Sequence, residues 1–369
     1  MIKTVLSLFI LSFSASLMKA QTAAEVIKAQ SATDLIASGD KKRKSEDYSG
    51  AMADYSSSVK INEKAAEEYI KKNEKHSKMT AYEIALADDG RAPDPKPEWA
   101  SAYYGRGMCE KALNQKTEAL QDFETAILLN PKMGEAYYER AMSKYLKDDK
   151  DHQCVDLRKS ADLGYDKGRI AYEDNFCWNN SLSHYKEGVT KLNIKSFDEA
   201  LVEFDIAAAI NPDSANIYVR KGQCYFGLNK LDEALMEYKL ALKKDSNNME
   251  AHLNLGIAYQ SKDDNQKAFD EFSKVIKANS NSYEAYLHRA QSCESQSQFA
   301  SAIFDYGNAI RIKPSNGENY YKRGVLKRDN LKNDAEACDD FCKAADLGFS
   351  DADDLAKDCR NPYKKKKKD

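Results

Sequence analysis

The sequence predicts an all-α protein built from repeated helix-turn-helix units. Of its 369 residues, 42% are apolar and 31% are charged, a balance typical of a folded chain rather than a disordered one. Only 7 prolines and 16 glycines occur, too few for the many tight turns of an all-β protein. Several sets of residues also recur every 34 positions, and this internal period predicts stacked copies of one unit.

Three ladders of residues share the period. Alanine recurs at Ala200, Ala234, Ala268 and Ala302. An aromatic residue follows each alanine by four positions, at Phe204, Tyr238, Phe272 and Tyr306. A small residue recurs upstream of them, at Gly188, Gly222, Gly256, Ala290 and Gly324. Independent ladders with one spacing indicate a single repeated structural unit.

A helical hairpin explains why these residue types are needed. A small residue in the first helix (helix A) lets the second helix (helix B) approach closely, and the alanine accepts that contact. The aromatic residue one turn later lies on the same face and fills the space between the helices. Pro131, Pro212 and Pro314 follow where helix B must end. One hairpin cannot bury its apolar face alone, so the copies are expected to stack.

These residues resemble the tetratricopeptide repeat family. The clearest copies are residues 100–133, 181–214, 215–248, 249–282 and 283–316; residues 134–165 and 317–349 match in helix A only, and 32–65 is a weaker copy. The resemblance implies a right-handed α-solenoid of about eight helix-turn-helix units. It also implies a concave groove, lined by the A helices, that binds extended peptides or partner helices.

Two similar six-residue motifs mark the expected ends of two repeat arrays. KSADLG at 159–164 and KAADLG at 343–348 each end a divergent helix B, with Gly164 and Gly348 as C-caps. A short polar helix is expected after each motif, covering the apolar end of a stack. The prediction is therefore two capped arrays. The domains are a signal peptide at 1–20, an N-terminal array at 21–180 with cap 166–180, a C-terminal array at 181–361 with cap 349–361, and a basic tail at 362–369.

The N-terminal array contains an irregular insert at 66–99. A whole repeat length separates Ala51 from Ala119, but DDGRAPDPKPEW at 88–99 has three prolines where a helix B is needed. The insert is read either as a degenerate repeat or as an extended helix followed by a stiff loop.

The first twenty residues, MIKTVLSLFILSFSASLMKA, read as a secretory signal. The alternative is a membrane anchor, but the apolar run from Val5 to Phe13 is shorter than the ~20 residues that span a bilayer. No later segment is expected to cross a membrane. The predicted location is outside the cytoplasm, in a periplasm or secreted space.

Charge argues against a nucleic-acid partner. The formal charge is -3, and it becomes more negative once the signal segment and the basic tail are set aside. Phosphate binding needs a clustered basic face instead. The tail lysines form either a solvated run or a weak contact with an anionic surface; they are Lys364, Lys365, Lys366, Lys367 and Lys368.

The 8 cysteines predict two disulfides. Cys154 and Cys338 occupy matching places, and Cys177 and Cys359 follow them by 23 and 21 residues. In an exported protein, the pairs Cys154–Cys177 and Cys338–Cys359 would each fasten a cap to the last hairpin. The alternative is that all cysteines are reduced core thiols. Cys342, one turn after Cys338, is a possible competitor for Cys359.

The remaining cysteines and the histidines favour packing roles. Cys109, Cys224 and Cys293 fall at or beside small buried positions of helix A, and His184 and His252 occupy the early aromatic position. The sequence lacks HExxH, GxSxG and GxGxxG, and GDKKRKS at 39–45 is an incomplete phosphate loop. The carboxylates read as solvated helix faces. We therefore expect no enzyme activity, no cofactor and no metal; a zinc site at Cys338 and Cys342 lacks a second ligand pair.

The resemblance also implies which residues line the groove. Counting along the A helices selects Tyr104, Tyr138, Tyr185, Arg220, Gln223, Asn254, His288, Gln291, Tyr321 and Lys322. Aromatic surface beside polar side chains suits a peptide platform. The alternative is that neighbouring repeats cover several of these tyrosines. The lysine and asparagine clamp with which some relatives hold chaperone C-termini is missing, since Val219 and Gln223 precede Asn254.

The predicted function is a non-enzymatic scaffold that binds peptide or protein segments in this groove. A periplasmic chaperone or assembly factor is one alternative. The other is an accessory protein of cell-envelope enzymes, with the lysine tail touching an anionic polymer.

Overall fold

The computed structural model describes residues 28, 30–72, 96–144, 150–174 and 176–360, and helices are the only regular secondary structure in these ranges. The fold is all-α, as predicted. The expected signal segment at 1–20, the lysines at 364–368 and residues 88–95 of the proline-rich stretch lie outside the described residues.

The described residues form two compact units. The first comprises those up to residue 183 together with 209–211, and the second comprises 184–208 and those from 212 onward. Each unit is built from antiparallel hairpins in which a helix A is followed by a helix B.

The first unit contains seven helices and the start of an eighth in its described part. They are α1 (30–44), α2 (Tyr48–Lys72), α3 (Pro97–Ala112), α4 (Lys116–Leu129), α5 (Gly134–Lys144), α6 (Lys150–Asp162), α7 (Asp166–Glu173) and α8 (Phe176–Asn193).

The second unit continues from α8 with nearly equal hairpins. Its helices are α9 (Phe197–Ile210), α10 (Ala215–Gly227), α11 (Leu231–Lys244), α12 (Met249–Ser261), α13 (Asn265–Ala278), α14 (Tyr283–Ser295), α15 (Phe299–Ile312), α16 (Gly317–Asp329), α17 (Asp334–Asp346) and α18 (Asp353–Arg360), with a single 3₁₀ turn at Ser350–Ala352.

The three ladders meet inside each hairpin. A Cβ atom built on Gly222 of α10 would lie 2.4 Å from Tyr238 Cε1 of α11, so the absent side chain is what allows the ring to lie there. The same contact recurs between Gly107 and Phe123, Gly188 and Phe204, Gly256 and Phe272, and Gly324 and Phe341. The ladder alanines and aromatics are buried throughout. This confirms the hairpin predicted from the 34-residue period.

Each A-to-B turn within the described ranges contains a residue in the left-handed region that is not glycine. These residues have φ between 55° and 64° and are Glu46, Asn114, Lys195, Asn229, Asp263, Ser297 and Lys332. Four of them share the 34-residue spacing. The loop from helix B to the next helix A is different, and Pro131, Pro212 and Pro314 all lie there, just after a helix ends.

Gly164 and Gly348 end α6 and α17 as expected. Both have φ of +82°, a conformation that glycine adopts without a Cβ penalty. The amides of Gly348 and Phe349 donate to the carbonyls of Ala345 and Ala344, and the residues around Gly164 repeat the pattern. This pair of backbone hydrogen bonds is a Schellman motif. The short helices α7 and α18 follow.

A helix runs through the expected end of the first array. The cap was expected at 166–180; α7 occupies Asp166–Glu173, and α8 begins at Phe176 and continues through residue 180 to Asn193. The run Phe176–Trp178 supplies bulky residues without a proline or glycine, so a helix can continue through Asn179 and Asn180. In the insert, α2 extends to Lys72, which matches the reading as an extended helix as far as the described residues reach.

Both expected disulfides are present. Cys154 on α6 is bonded to Cys177, and Cys338 on α17 is bonded to Cys359 on α18. The second bond fastens a cap helix to the last hairpin, as predicted. The first does not hold α7, because Cys177 belongs to α8, so it ties the last hairpin of the first unit to the helix that follows the cap.

Candidate interaction surface

The ten side chains predicted to line a groove all lie on A helices, and all are partly exposed. None belongs to the fully buried core and none is fully solvated. Partial exposure is the state expected of a surface that keeps its shape and still offers atoms to a partner.

The four predicted tyrosines rest on aromatic rings of their own hairpins or caps. Ring centroids are 5.9 Å apart for Tyr104 and Phe123, 5.9 Å for Tyr185 and Phe204, 6.1 Å for Tyr321 and Phe341, and 5.5 Å for Tyr138 and Tyr165. Burial is the main reason that the pKa of Tyr104 is raised. One face of each ring is therefore committed to packing, and the partly exposed remainder is fixed in place.

A polar network joins three successive A helices of the second unit. Arg220 on α10 donates to both carboxylate oxygens of Glu250 on α12, at 2.5 and 3.1 Å. Its Nε lies 3.3 Å from the hydroxyl of Tyr185 on α8. Gln223 accepts from Arg220 at 2.9 Å and donates to Glu250 at 3.2 Å. Residues of different A helices that are 27 to 35 positions apart thus meet on one surface.

The residues predicted to line the groove further along the chain are also held by neighbouring side chains. The ring of His288 stacks on Phe272 with centroids 5.6 Å apart, and its Nδ1 lies 3.1 Å from Gln260 Oε1. Burial lowers the pKa of His288, while a hydrogen bond with Gln291 opposes this shift. His288 is thus a neutral, positioned hydrogen-bonding group at pH 7.

Asn254 and Lys322 are paired with groups on their own helices. The Asn254 amide donates to the backbone carbonyl of Glu250 at 2.8 Å, and Lys322 Nζ lies 3.3 Å from a Glu318 carboxylate oxygen. Lys322 is only a third exposed, so its charge is partly screened by this partner.

A depression of about 500 Å³ lies beside Tyr138 in the first unit. Its other lining residues, from α7 and the residue after it, are Lys167, Ile170, Ala171, Glu173 and Asp174. Ile170 is 62% exposed, which is high for a large apolar side chain. The cap helix therefore does more than cover the stack, because it also forms a wall of this depression.

The structure contains one ladder that sequence reasoning missed. The residue before each core aromatic of helix B is acidic, and it is tied to a cation on helix A. The pairs of a buried carboxylate with arginine or lysine are Arg106–Asp122, Lys221–Glu237, Arg289–Asp305 and Arg323–Asp340, and Arg140–Asp156 is equivalent in the divergent hairpin. Lys42–Asp54 is the corresponding pair of the first hairpin. The buried carboxylates are not the solvated faces that the sequence predicted.

In two hairpins a histidine of helix A contacts the acidic residue, and in one of them Lys191 also binds Glu203, at 2.7 Å. His184 Nδ1 lies 2.7 Å from Glu203 Oε2, and His252 Nδ1 lies 2.6 Å from Glu271 Oε2. The prediction of a packing role holds for their position, but each ring also hydrogen-bonds a carboxylate. A signal for part of the ladder existed in the sequence, since Glu203, Glu237, Glu271 and Asp305 are each 34 residues apart.

Two negative findings apply to the described ranges. In residues 28, 30–72, 96–144, 150–174 and 176–360, no cluster of three or more His, Cys, Asp or Glu side chains has metal-binding geometry. None of the helices described is both long and apolar enough to span a bilayer. Cys338 is oxidised, so it does not offer a thiolate for the zinc pair considered with Cys342.

Stacked A–B hairpins with partly exposed A-helix side chains define a helical-repeat protein of the solenoid class. Comparison with protein families supports this fold class. A family described as "Tetratricopeptide repeat" matches residues 100–133, a second of the same description matches 253–317, and "TPR repeat" matches 222–263. These matches show that the chain contains tetratricopeptide repeats, and such repeats form scaffolds for protein interaction.

Solved structures with a similar fold include those of MamA. One crystal structure of MamA is 24% identical, covers 45% of this chain and 96% of its own, and has a TM-score of 0.42. MamA from Desulfovibrio magneticus RS-1 is 17% identical, with 46% and 96% coverage and a TM-score of 0.43. A comparison with curated proteins found no match.

Proposed function

We propose that this protein is an exported, non-enzymatic scaffold that holds extended peptide or protein segments along its A-helix surfaces. The observation that carries the proposal is the network from Tyr185 through Arg220 to Glu250. It places polar groups of three successive A helices side by side, partly exposed and already oriented. A bound segment could then make several weak contacts in series, and such contacts add up through their shared attachment.

The depression beside Tyr138 supplies an apolar counterpart in the first unit. Exposed Ile170 and the partly exposed tyrosine ring suit a large apolar or aromatic side chain of the partner. Lys167, Glu173 and Asp174 at its edge offer both signs of charge. The proposed ligand is therefore a segment that alternates apolar anchors with polar groups.

Export is supported by cysteine chemistry. Two disulfides form and persist in an oxidising space such as a periplasm or the exterior, and they are rare in a reducing cytosol. The signal-like segment at 1–20 points the same way. Fusion of residues 1–30 to a reporter that is active only after export tests this part of the proposal.

The binding surface is tested by affinity capture from an envelope extract, read by mass spectrometry. A groove variant carries Tyr138→Ala, Arg220→Ala and His288→Ala. A matched control carries Val202→Ala, Met236→Ala and Phe304→Ala, three exposed side chains of B helices. Both variants are first compared with the wild type by thermal unfolding.

We expect one or two partners that are lost from the groove variant and kept by the control. Loss from the control alone would place the binding surface on the B helices. An identical set of partners from all three proteins would overturn the proposed groove.

A periplasmic chaperone or assembly factor is the second candidate, and exposed apolar residues favour it. Trp178 and Phe304 are 59% and 66% exposed, and such side chains can hold unfolded clients. The test is suppression of aggregation of a chemically denatured client at equimolar protein. If the wild type suppresses aggregation and the variant with Val202→Ala, Met236→Ala and Phe304→Ala suppresses it less, the result would support this candidate. If the wild type does not suppress aggregation, this candidate is excluded.

The idea of an accessory to cell-envelope enzymes rests on lysines 364–368, which lie outside the described residues. Deletion of these five residues tests it. Unchanged sedimentation with envelope fractions would reject a role for the tail.

A further inference from the structure

The two disulfides differ in their surroundings. Cys154 and Cys177 are both completely buried, whereas Cys338 and Cys359 are each partly exposed. A reagent or a neighbouring thiol can therefore approach the second bond in the folded protein, while the first is enclosed by the core. Access of this kind is one of the factors that set the rate of thiol–disulfide exchange.

A third sulfur accompanies only the second disulfide. Cys342 lies one turn after Cys338 on α17, and its thiol is the partly exposed one among four free cysteines. Cys109, Cys224 and Cys293 are buried. The corresponding position in the first pair, four residues after Cys154, is Arg158. The first disulfide thus has no such companion.

Cys342 faces the part of α18 that carries Cys359. Its Sγ lies 4.0 Å from the carbonyl oxygen of Ala356, three residues before Cys359. The guanidinium of Arg360, the residue after Cys359, lies beside the same sulfur and also binds Asp346 at 2.6 Å. Groups on both sides of Cys359 along α18 therefore contact Cys342.

We propose that Cys338, Cys342 and Cys359 form a thiol–disulfide exchange site. The Cys342 thiol loses its proton to solvent, and the thiolate attacks Cys359 Sγ. The Cys342–Cys359 bond forms as the Cys338–Cys359 bond breaks, and Cys338 leaves as a thiolate that is reprotonated. One disulfide and one thiol are present before and after, so no external oxidant or reductant is needed.

The exchange changes where the cap helix is fastened. The two attachment points on α17 are four residues apart, which corresponds to a rise of about 6 Å, so the exchange moves the bonded end of α18 along α17. Ala352 and Ala356 of the cap are buried against the end of the stack, and a shift changes how they cover it. The site thereby gives the cap two alternative attachments, which a low-molecular-weight thiol in the surroundings would interconvert by the same chemistry.

The test is disulfide mapping on the folded, oxidised full chain. The protein is incubated at pH 8, and samples are quenched with acid and blocked with N-ethylmaleimide after denaturation. Cleavage after Phe341 separates the peptide with Cys338 from the peptide with Cys342. We expect the label to appear on Cys338 as it declines on Cys342, together with a Cys342–Cys359 linked peptide. The Cys154–Cys177 peptide should not change.

Two variants serve as controls. Cys342→Ser removes the attacking thiol, so Cys338 should stay unlabelled; label on Cys338 in this variant would overturn an intramolecular exchange. Cys338→Ser leaves only the product bond, and it should form Cys342–Cys359 in protein whose circular dichroism matches the wild type. Failure to form that bond in the folded variant would also overturn the proposal, as would exchange seen in urea but never in the native wild type.

Discussion

Arg140 and Asp156 are joined by two parallel hydrogen bonds, Nε to Oδ2 at 2.8 Å and Nη2 to Oδ1 at 2.7 Å, with both side chains nearly inaccessible to solvent. The pair links helix A to helix B in the last hairpin of the first unit. Comparable pairs recur in the other hairpins, so a buried charge contact accompanies nearly every contact between a glycine and an aromatic ring.

Removing one member of this pair should destabilise the protein strongly. Asp156→Ala leaves the buried Arg140 guanidinium without its counter-charge, and we expect the free energy of unfolding to fall by about 3–5 kcal/mol. Urea unfolding followed by circular dichroism measures this change. Glu173→Ala, which breaks the exposed pair with Arg169, is the matched control and should have little effect. Equal effects of the two substitutions would contradict the prediction.

The effect of a glycine-to-alanine substitution on stability should depend on the space beside the glycine. Gly222→Ala would place a Cβ 2.4 Å from the Tyr238 ring, and we expect a loss of about 1–3 kcal/mol from forced repacking. Gly307 lies inside α15, and the nearest atom to its Cβ would be Arg323 Nη1 at 3.5 Å. Gly307→Ala should therefore gain up to about 1 kcal/mol from helix propensity. Thermal unfolding of both variants tests the order, and a stabilised Gly222→Ala protein would refute the packing account.

Stability should fall as pH rises through neutrality because of Glu110. Burial, aided by the negative charge of Asp122 and opposed by Arg106, raises the pKa of Glu110 to about 7. A carboxyl group whose pKa is higher in the folded state favours folding when protonated. Its contribution is fully present below about pH 4.5 and is lost as pH approaches and passes 7, an effect on the order of 1–3 kcal/mol.

The measurement is the free energy of unfolding of wild type and Glu110→Gln from pH 5 to pH 8. The variant remains neutral, so its stability should change less over this interval and exceed that of the wild type at pH 8. Parallel curves for the two proteins would show that Glu110 titrates normally.

Of the four free cysteines, only the partly exposed Cys342 should react rapidly in the native protein. Burial raises the pKa of Cys109 to about 11, of Cys224 to about 12 and of Cys293 to about 11, so these thiols remain protonated and shielded at pH 8. We expect Ellman's reagent to titrate one thiol in the native protein and four in denaturant without reductant. Cys342→Ser should reduce the native count to zero. Rapid reaction of more than one thiol in the native state would contradict the burial of the other three.

The parts of the fold that the sequence predicted are those in which a residue type has one physical use. A glycine that recurs every 34 residues upstream of an aromatic ring has few explanations other than close helix packing, and Gly222 with Tyr238 bears this out. The cysteine pairs were recognisable because Cys154 and Cys338 occupy matching positions. The acidic ladder was not recognised in the sequence because its few buried carboxylates are hidden among 59 Asp and Glu residues, and most charges on helices are solvated.

For the candidate surface, the sequence could predict which residues lie on A helices but not what those residues contact. Counting along the A helices identified Arg220, yet its partner Glu250 is 30 residues away and became evident only from the stacking of two hairpins. In the same way, the sequence did not reveal that Tyr138 borders a depression, because the wall is α7, a helix outside the repeat pattern. Such relationships depend on the packing of successive units, which no single repeat encodes.

The left-handed turn residues are separate positions at which the thermal stability of this protein could be raised by substitution. Lys195, Ser297 and Lys332 have side chains in a conformation that glycine or asparagine adopts at lower cost. The positions lie in separate hairpins and share no partner, so the gains from substituting them are expected to add. Substituting these residues one at a time should therefore raise the melting temperature stepwise, and none of the ten side chains of the candidate surface is changed.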